Sequence, residues 1–161
     1  MVFKLLNKIM ENKKILFVCL GNICRSPMAE CVMKKISDEK KLGWEISSCG
    51  LISYHQGEQP DSRMISAARK KGYNLEHKAR KIREEDFSYY DFIIGMDREN
   101  IQKLVRLSPP SCRRKIRIIS EFFDGVDDYD CVPDPYYGET EDFFTVISLL
   151  ENACTQLAAQ I

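Results

Sequence analysis

The stretch Cys19-Leu20-Gly21-Asn22-Ile23-Cys24-Arg25-Ser26 puts a thiol, a guanidinium and a hydroxyl within eight consecutive residues. The spacing C-x5-R is weak evidence alone, because a chain with seven cysteines meets it readily by chance. Its setting adds more. The apolar run Lys14–Cys19 precedes it, and Ser26-Pro27 opens a helical pattern after it. Gly21 and Asn22 accept backbone angles that other residues resist. Such a loop can curl until successive N–H groups face inward, forming an anion nest at the positive end of the next helix. Arg25 can fork two N–H groups onto two phosphate oxygens. Cys19 lies at the floor of that nest, where the same dipoles stabilise a thiolate, and Ser26 can donate a hydrogen bond to the sulfur. The chemistry implied is nucleophilic attack by Cys19 on a phosphoryl group. Three other readings fit the bare loop. Cys19 can be a small core residue ending a strand, it can form a redox pair with Cys24, or the loop can bind phosphate without reacting. The nucleotide version of that last reading is disfavoured, since neither G-x-x-x-x-G-K-[ST] nor G-x-G-x-x-G occurs.

Those residues need a scaffold to hold them. A length of 161 residues suits one domain with one core. Hydrophobic residues make up 44% and charged residues 30%, which argues against disorder. Lys+Arg and Asp+Glu both total 24, which argues against a generally basic nucleic-acid binder. No window approaches the ~18 apolar residues of a membrane span. The seven scattered cysteines, without a C-x-x-C, read as reduced thiols of a cytoplasmic protein. His55 and His77 lie far from the paired spacings of a zinc site, so no metal and no cofactor is expected. The acidic stretch from Asp124 fails as a calcium loop, because no Gly stands at its sixth position and Pro135 falls where the bidentate Glu belongs.

The segments alternate. Strands are expected at Lys14–Cys19, Trp44–Ser48, Asp91–Met96 and Ile116–Ser120. Helices are expected from Ser26-Pro27 to about Lys40, from Asp61 to Gly72, over Ile82–Tyr90, over Arg98–Leu107 and from about Glu141 to Ala159. A long loop holding Asp124–Gly138 precedes the last helix. This alternation predicts an α/β fold: an open four-stranded parallel sheet in the order 2-1-3-4, with helices on both faces. The chain leaves strand 1 toward one edge and returns on its other side, so the crevice after strand 1 is the binding position. The loop Cys19–Ser26 occupies it. Residues 1–13 read as an N-terminal extension, either flexible or packing a short stripe of Leu5, Leu6, Ile9 and Met10 on the domain. The domain itself spans 14–161.

Val18–Glu30, VCLGNICRSPMAE, closely resembles the signature of the low molecular weight protein tyrosine phosphatases. The likeness continues through His77-Lys-Ala-Arg80, Glu85-Asp-Phe, Asp91, Met96-Asp97 and Asp134-Pro-Tyr-Tyr-Gly138, in the family's order. The resemblance implies a metal-independent enzyme acting on phosphotyrosine in proteins, and on small aryl phosphates as an acid phosphatase, through a phosphocysteine. It implies Cys19 as nucleophile, Arg25 with the amides of Leu20, Gly21, Asn22, Ile23 and Cys24 as oxyanion holders, and Asp134 as general acid, then base. Asn22, Ser26, Ser48 and His77 match a network supporting the loop. Leu20, Ile23, Tyr54 and Tyr136 match the cleft walls, with Tyr54 standing where the family often has Trp. The expected partners are tyrosine-phosphorylated proteins and phosphate-like oxyanions. Cys24 is expected to trap oxidised Cys19 as a disulfide.

Two competing functions bear on the same loop. A thiol-dependent arsenate reductase passes oxidation to cysteines in mid-chain, and none occurs between Cys49 and Cys112. A catalytically dead phosphotyrosine-binding module would have lost the nucleophile or the acid, and both types are present.

Overall fold

The computed structural model describes residue 2 and residues 12–161. The proposed stripe in the N-terminal extension therefore lies outside the described residues. The chain order is β1 (Lys14–Cys19), α1 (Arg25–Glu39), β2 (Glu45–Gly50), α2 (Ser62–Lys70), α3 (Glu84–Tyr89), β3 (Phe92–Gly95), α4 (Arg98–Leu107), β4 (Ile116–Ile118) and α5 (Thr140–Gln160). Short 3-10 turns at Pro110–Lys115 and Ile119–Phe122 flank β4. All strand pairs are parallel and the sheet order is β2-β1-β3-β4, as the alternation predicts.

β1 is buried on both faces, which is why it reads as a continuous apolar run rather than an alternating one. Its side chains still divide by the period of two. Ile15, Phe17 and Cys19 join the larger core with α1, α2 and α5, while Leu16 and Val18 join the smaller one with α3 and α4. Helices on both faces thus clamp the strand whose carboxyl end carries the loop.

β3 is one residue shorter at each end than expected, at Phe92–Gly95, and three other elements depart by two residues at one end. β2 runs Glu45–Gly50 instead of Trp44–Ser48, because the parallel register continues through Val18↔Cys49 and Cys19↔Gly50. The helix expected over Ile82–Tyr90 starts at Glu84, where the Asp86 side chain accepts the Arg83 N–H at 2.7 Å. β4 ends at Ile118, two residues early. Glu121 reaches back to the Ile118 N–H and pairs with Arg117, and the chain turns so that Ile119 and Phe122 both enter the core.

Candidate active site

The loop after β1 is built inside out. Its carbonyls are tied to neighbouring segments: Leu20 O accepts from Leu51 N at 2.9 Å, Ile23 O from Asp61 N at 2.8 Å, and Cys24 O from Met28 N at 3.3 Å. The backbone N–H groups of Leu20–Cys24 donate to no protein acceptor among the described residues. Donors without protein partners, at the start of a 15-residue helix with no acidic residue in its first turn, are what an anion site requires. The close approach of β2 to this loop depends on Gly50, where a Cβ would meet Leu20 O at 2.9 Å and leave backbone no room to yield.

Both Gly21 and Asn22 were candidates for the unusual backbone angle, and Asn22 carries it, with φ at 58°. Its side-chain amide uses its full capacity of two donors and two lone pairs. Nδ2 donates to Ser26 Oγ at 2.8 Å and Ser48 Oγ at 3.0 Å, while Oδ1 accepts from His77 Nε2 at 2.7 Å and Arg80 N at 3.0 Å. Asn22, Ser26, Ser48 and His77 therefore do come together. Burial, helped by Lys34 and Arg80, pushes the His77 pKa down despite the Glu30 carboxylate 3.8 Å from Nδ1, which favours the charged ring. We expect Asn22→Ala to destabilise the fold by about 2–4 kcal/mol, since it loses the buried network and keeps the left-handed strain. Asn22→Gly should recover about 1 kcal/mol of that by removing only the strain. Urea unfolding of the two variants checks the ordering.

Cys19 is 3% exposed, with its Sγ 2.9 Å from Ser26 Oγ. The single Ser26 proton can serve the sulfur or Cys49 O, which lies farther away at 3.3 Å. Arg25, equally buried, donates from Nη1 to Asp97 Oδ2 at 2.6 Å and to Val132 O at 3.0 Å. Burial disfavours its charge, but Cys19, Asp97 and Asp134 outweigh that and hold the guanidinium firmly protonated. Asp134 lies across the site, 3.7 Å from Arg25 Nη2 and 45% exposed. Cys24 is buried, and its thiol is pushed up by that burial and by Asp61, Cys19 and Asp134.

These groups share one cleft of about 290 Å³. Cys19, Cys24 and Arg25 form its floor, Asp134 stands at one side, and Leu20, Ile23, Tyr54 and Tyr136 contribute to its walls. Sequence reasoning missed several members. Asp97 clamps Arg25 and also caps α4 through Asn100 N at 2.8 Å. Its signal was its place at the end of β3, the strand beside β1. His55 packs edge-on to Tyr54 with ring centroids 4.8 Å apart, and it lines the cleft together with Ile52 and Tyr137. Arg63, outside the cleft lining, bonds the Tyr136 carbonyl at 2.8 Å.

The model of the low molecular weight phosphotyrosine protein phosphatases matches residues 14–161. A protein of that description from Schizosaccharomyces pombe is 40% identical, with 83% of this chain and 86% of the relative covered. The crystal structure of a protein tyrosine phosphatase from Entamoeba histolytica, with Hepes in its active site, is similar at a TM-score of 0.90 and 40% identity, covering 92% of this chain and 96% of that one. A Drosophila arginine phosphatase is similar at a TM-score of 0.85 and 30% identity, covering 91% of this chain and 96% of that one.

Proposed function

The chain belongs to the low molecular weight phosphotyrosine protein phosphatase family, and we propose that the groups gathered at the loop after β1 carry out the family's chemistry here. It is a metal-independent phosphatase that hydrolyses phosphotyrosine in proteins through a cysteine. In our reading the Cys19 thiolate attacks phosphorus. A P–S bond forms as the P–O bond to the phenol breaks, and the Asp134 carboxylic acid gives the leaving oxygen its proton. Arg25 and the inward N–H groups hold the equatorial oxygens where charge develops. Water then attacks the phosphocysteine, Asp134 takes its proton, and the thiolate departs with Ser26 donating to it. The observation that carries this reading is the convergence of a buried thiol, a row of N–H donors without protein partners and a clamped guanidinium on one cleft.

Release of p-nitrophenol from p-nitrophenyl phosphate tests it. Turnover should persist undiminished in excess chelator, and inorganic phosphate should compete. Absence of turnover, or arsenate reduction with a thioredoxin system in its place, overturns it. The expected setting is the cytoplasm, with tyrosine-phosphorylated proteins as partners. The unpaired state of all seven cysteines supports a reducing compartment.

The substrate preference rests on the walls, because an arginine phosphatase shares the fold. A thiolate at the bottom of a nest is reached best by a long, rigid side chain. Leu20, Ile23, Tyr54 and Tyr136 are apolar surfaces for a phenyl ring, whereas phosphoserine is too short to touch them while its phosphorus reaches Cys19. Burying the ring is worth ~1.5–3 kcal/mol, or one to two decades in rate. On matched peptides, kcat/KM should fall from phosphotyrosine to phosphoserine and phosphoarginine. Ile23→Thr should narrow the gap to phosphoarginine by giving the guanidinium a polar neighbour. Equal use of all three substrates by the wild type would refute the wall argument.

Redox control is a further part of this reading. Peroxide converts the Cys19 thiolate to a sulfenic acid, and the Cys24 thiol condenses with it, releasing water and forming a disulfide. Mild peroxide should inactivate the enzyme, with full recovery in dithiothreitol. Cys24→Ser should make most of that loss permanent. Full recovery of the variant would remove the protective role of Cys24.

A further inference from the structure

We propose that Arg63 is a positioning residue that latches the Asp134 loop to the phosphate-binding loop, an inference that rests on the reading of Asp134 as the proton donor. Asp61, the cap of α2, is anchored to the phosphate loop by its own N–H, which donates to Ile23 O at 2.8 Å. Arg63 folds back on that cap with two prongs: Nε donates to Asp61 Oδ1 at 3.0 Å and Nη2 to Oδ2 at 2.8 Å. The same Nη2 donates to the Tyr136 carbonyl at 2.8 Å. Tyr136 N in turn donates to Asp134 Oδ1 at 3.0 Å. A continuous path therefore runs from Ile23 through Asp61, Arg63 and Tyr136 to the acid.

Nothing else does this job among the described residues. Between Val132, held by Met96 O, and the cap of α5 at Glu139, the only other backbone–backbone hydrogen bond of the turn among the described residues is its own, from Gly138 N to Pro135 O, and it also has two outside contacts, the longer Arg25–Asp134 ion pair and the His55–Tyr136 ring contact. Among the described residues, the bond from Arg63 is the one hydrogen bond that residues 133–138 receive from outside the segment. The guanidinium, although its side chain is 44% exposed, also faces two rings, 5.6 Å from the centroid of Tyr136 and 4.7 Å from that of Phe143 in α5. Its planar fork is essential to the geometry. A lysine offers one point of charge on a flexible stem and lacks the rigid, spaced donors with which Arg63 meets both Asp61 oxygens and the carbonyl. Asp134 is 45% exposed and its Oδ2 lies 3.7 Å from Arg25, beyond hydrogen-bond reach, so burial and Arg25 do not fix it in place.

The consequence is specific to proton transfer, which is sensitive to placement at the ångström scale. In Arg63→Ala, kcat/KM for phenyl phosphate, whose leaving group needs the proton, should fall by about tenfold or more, while that for p-nitrophenyl phosphate should stay within about threefold of wild type. Arg63→Lys should lie between. The inhibition constant of inorganic phosphate should be unchanged in both, because the phosphate loop keeps its own anchors. In the Asp134→Ala background, Arg63→Ala should add nothing. An equal loss on both substrates, a shifted phosphate constant, or an additive loss in the double variant would each overturn the latch. Asp134→Ala alone, measured in parallel, reports on the acid. If that variant shows no dependence on the leaving group, the reading of Asp134 fails. If it does and Arg63→Ala does not, only the latch fails. Should Arg63→Ala not fold, Arg63→Lys carries the same comparison.

Discussion

Cys19→Ser should abolish turnover and leave anion binding in place. The substitution exchanges sulfur for oxygen at the floor of the cleft and alters no other group. The Ser26 hydroxyl retains a partner, the N–H groups of Leu20–Cys24 stay without protein acceptors among the described residues, and Arg25 stays clamped between Asp97 and Val132 O. What disappears is the nucleophile, since an alcohol in this position has no general base beside it to ionise it. The expected loss in kcat is about 10⁴-fold or more, and the groups that remain bind phosphate without a covalent path. Titration calorimetry with inorganic phosphate should give an affinity within about threefold of wild type, because the loop N–H groups and Arg25 that hold the anion are unchanged. Turnover within about tenfold of wild type would refute the covalent mechanism. Loss of phosphate affinity in a folded variant would show instead that the sulfur holds the loop together.

How much of this was legible in the sequence depends on the range of the interaction. β1 was readable because a strand buried on both faces and paired along both edges must be apolar throughout, and of its six residues only Lys14 is not fully buried. The sheet order followed from alternation and handedness, without any contact being known. The members of the site that lie on the loop itself were visible as a cluster. Those that reach it from elsewhere were not. Asp97 reads as an ordinary helix cap, and it is one; that its second oxygen grips Arg25, 72 residues away, depends on β3 lying beside β1. His55 and Arg63 had no local signal either, being a loop histidine and a first-turn arginine by pattern. β4 was overextended because Ile119 looks like one more strand residue, whereas the burial of Ile119 and Phe122 on the same side turns the chain into a 3-10 path. Period and propensity describe a segment, and the site is made by what the sheet brings against it.

Asp134→Ala should separate substrates by the quality of their leaving groups. A phenolate such as p-nitrophenolate departs unaided, whereas tyrosine must leave as the neutral phenol or not at all. For phosphotyrosine the loss in kcat/KM should therefore reach the ~10²–10⁴ range of general acid catalysis, and for p-nitrophenyl phosphate it should be far smaller. The second half-reaction behaves differently. Every substrate passes through the same phosphocysteine, and its hydrolysis needs Asp134 as a base, so kcat should fall by a similar factor for all of them. The two kinetic constants thus report on the two roles of one carboxyl group. Its position fits both: it is open enough to water to be reached by the second nucleophile, and it faces the charged Arg25 across the cleft floor. A series of aryl phosphates spanning leaving-group acidity provides the measurement. In the wild type kcat/KM should depend weakly on that acidity, and in Asp134→Ala it should depend steeply. Parallel lines for the two proteins would mean that Asp134 positions the substrate or the loop without transferring a proton.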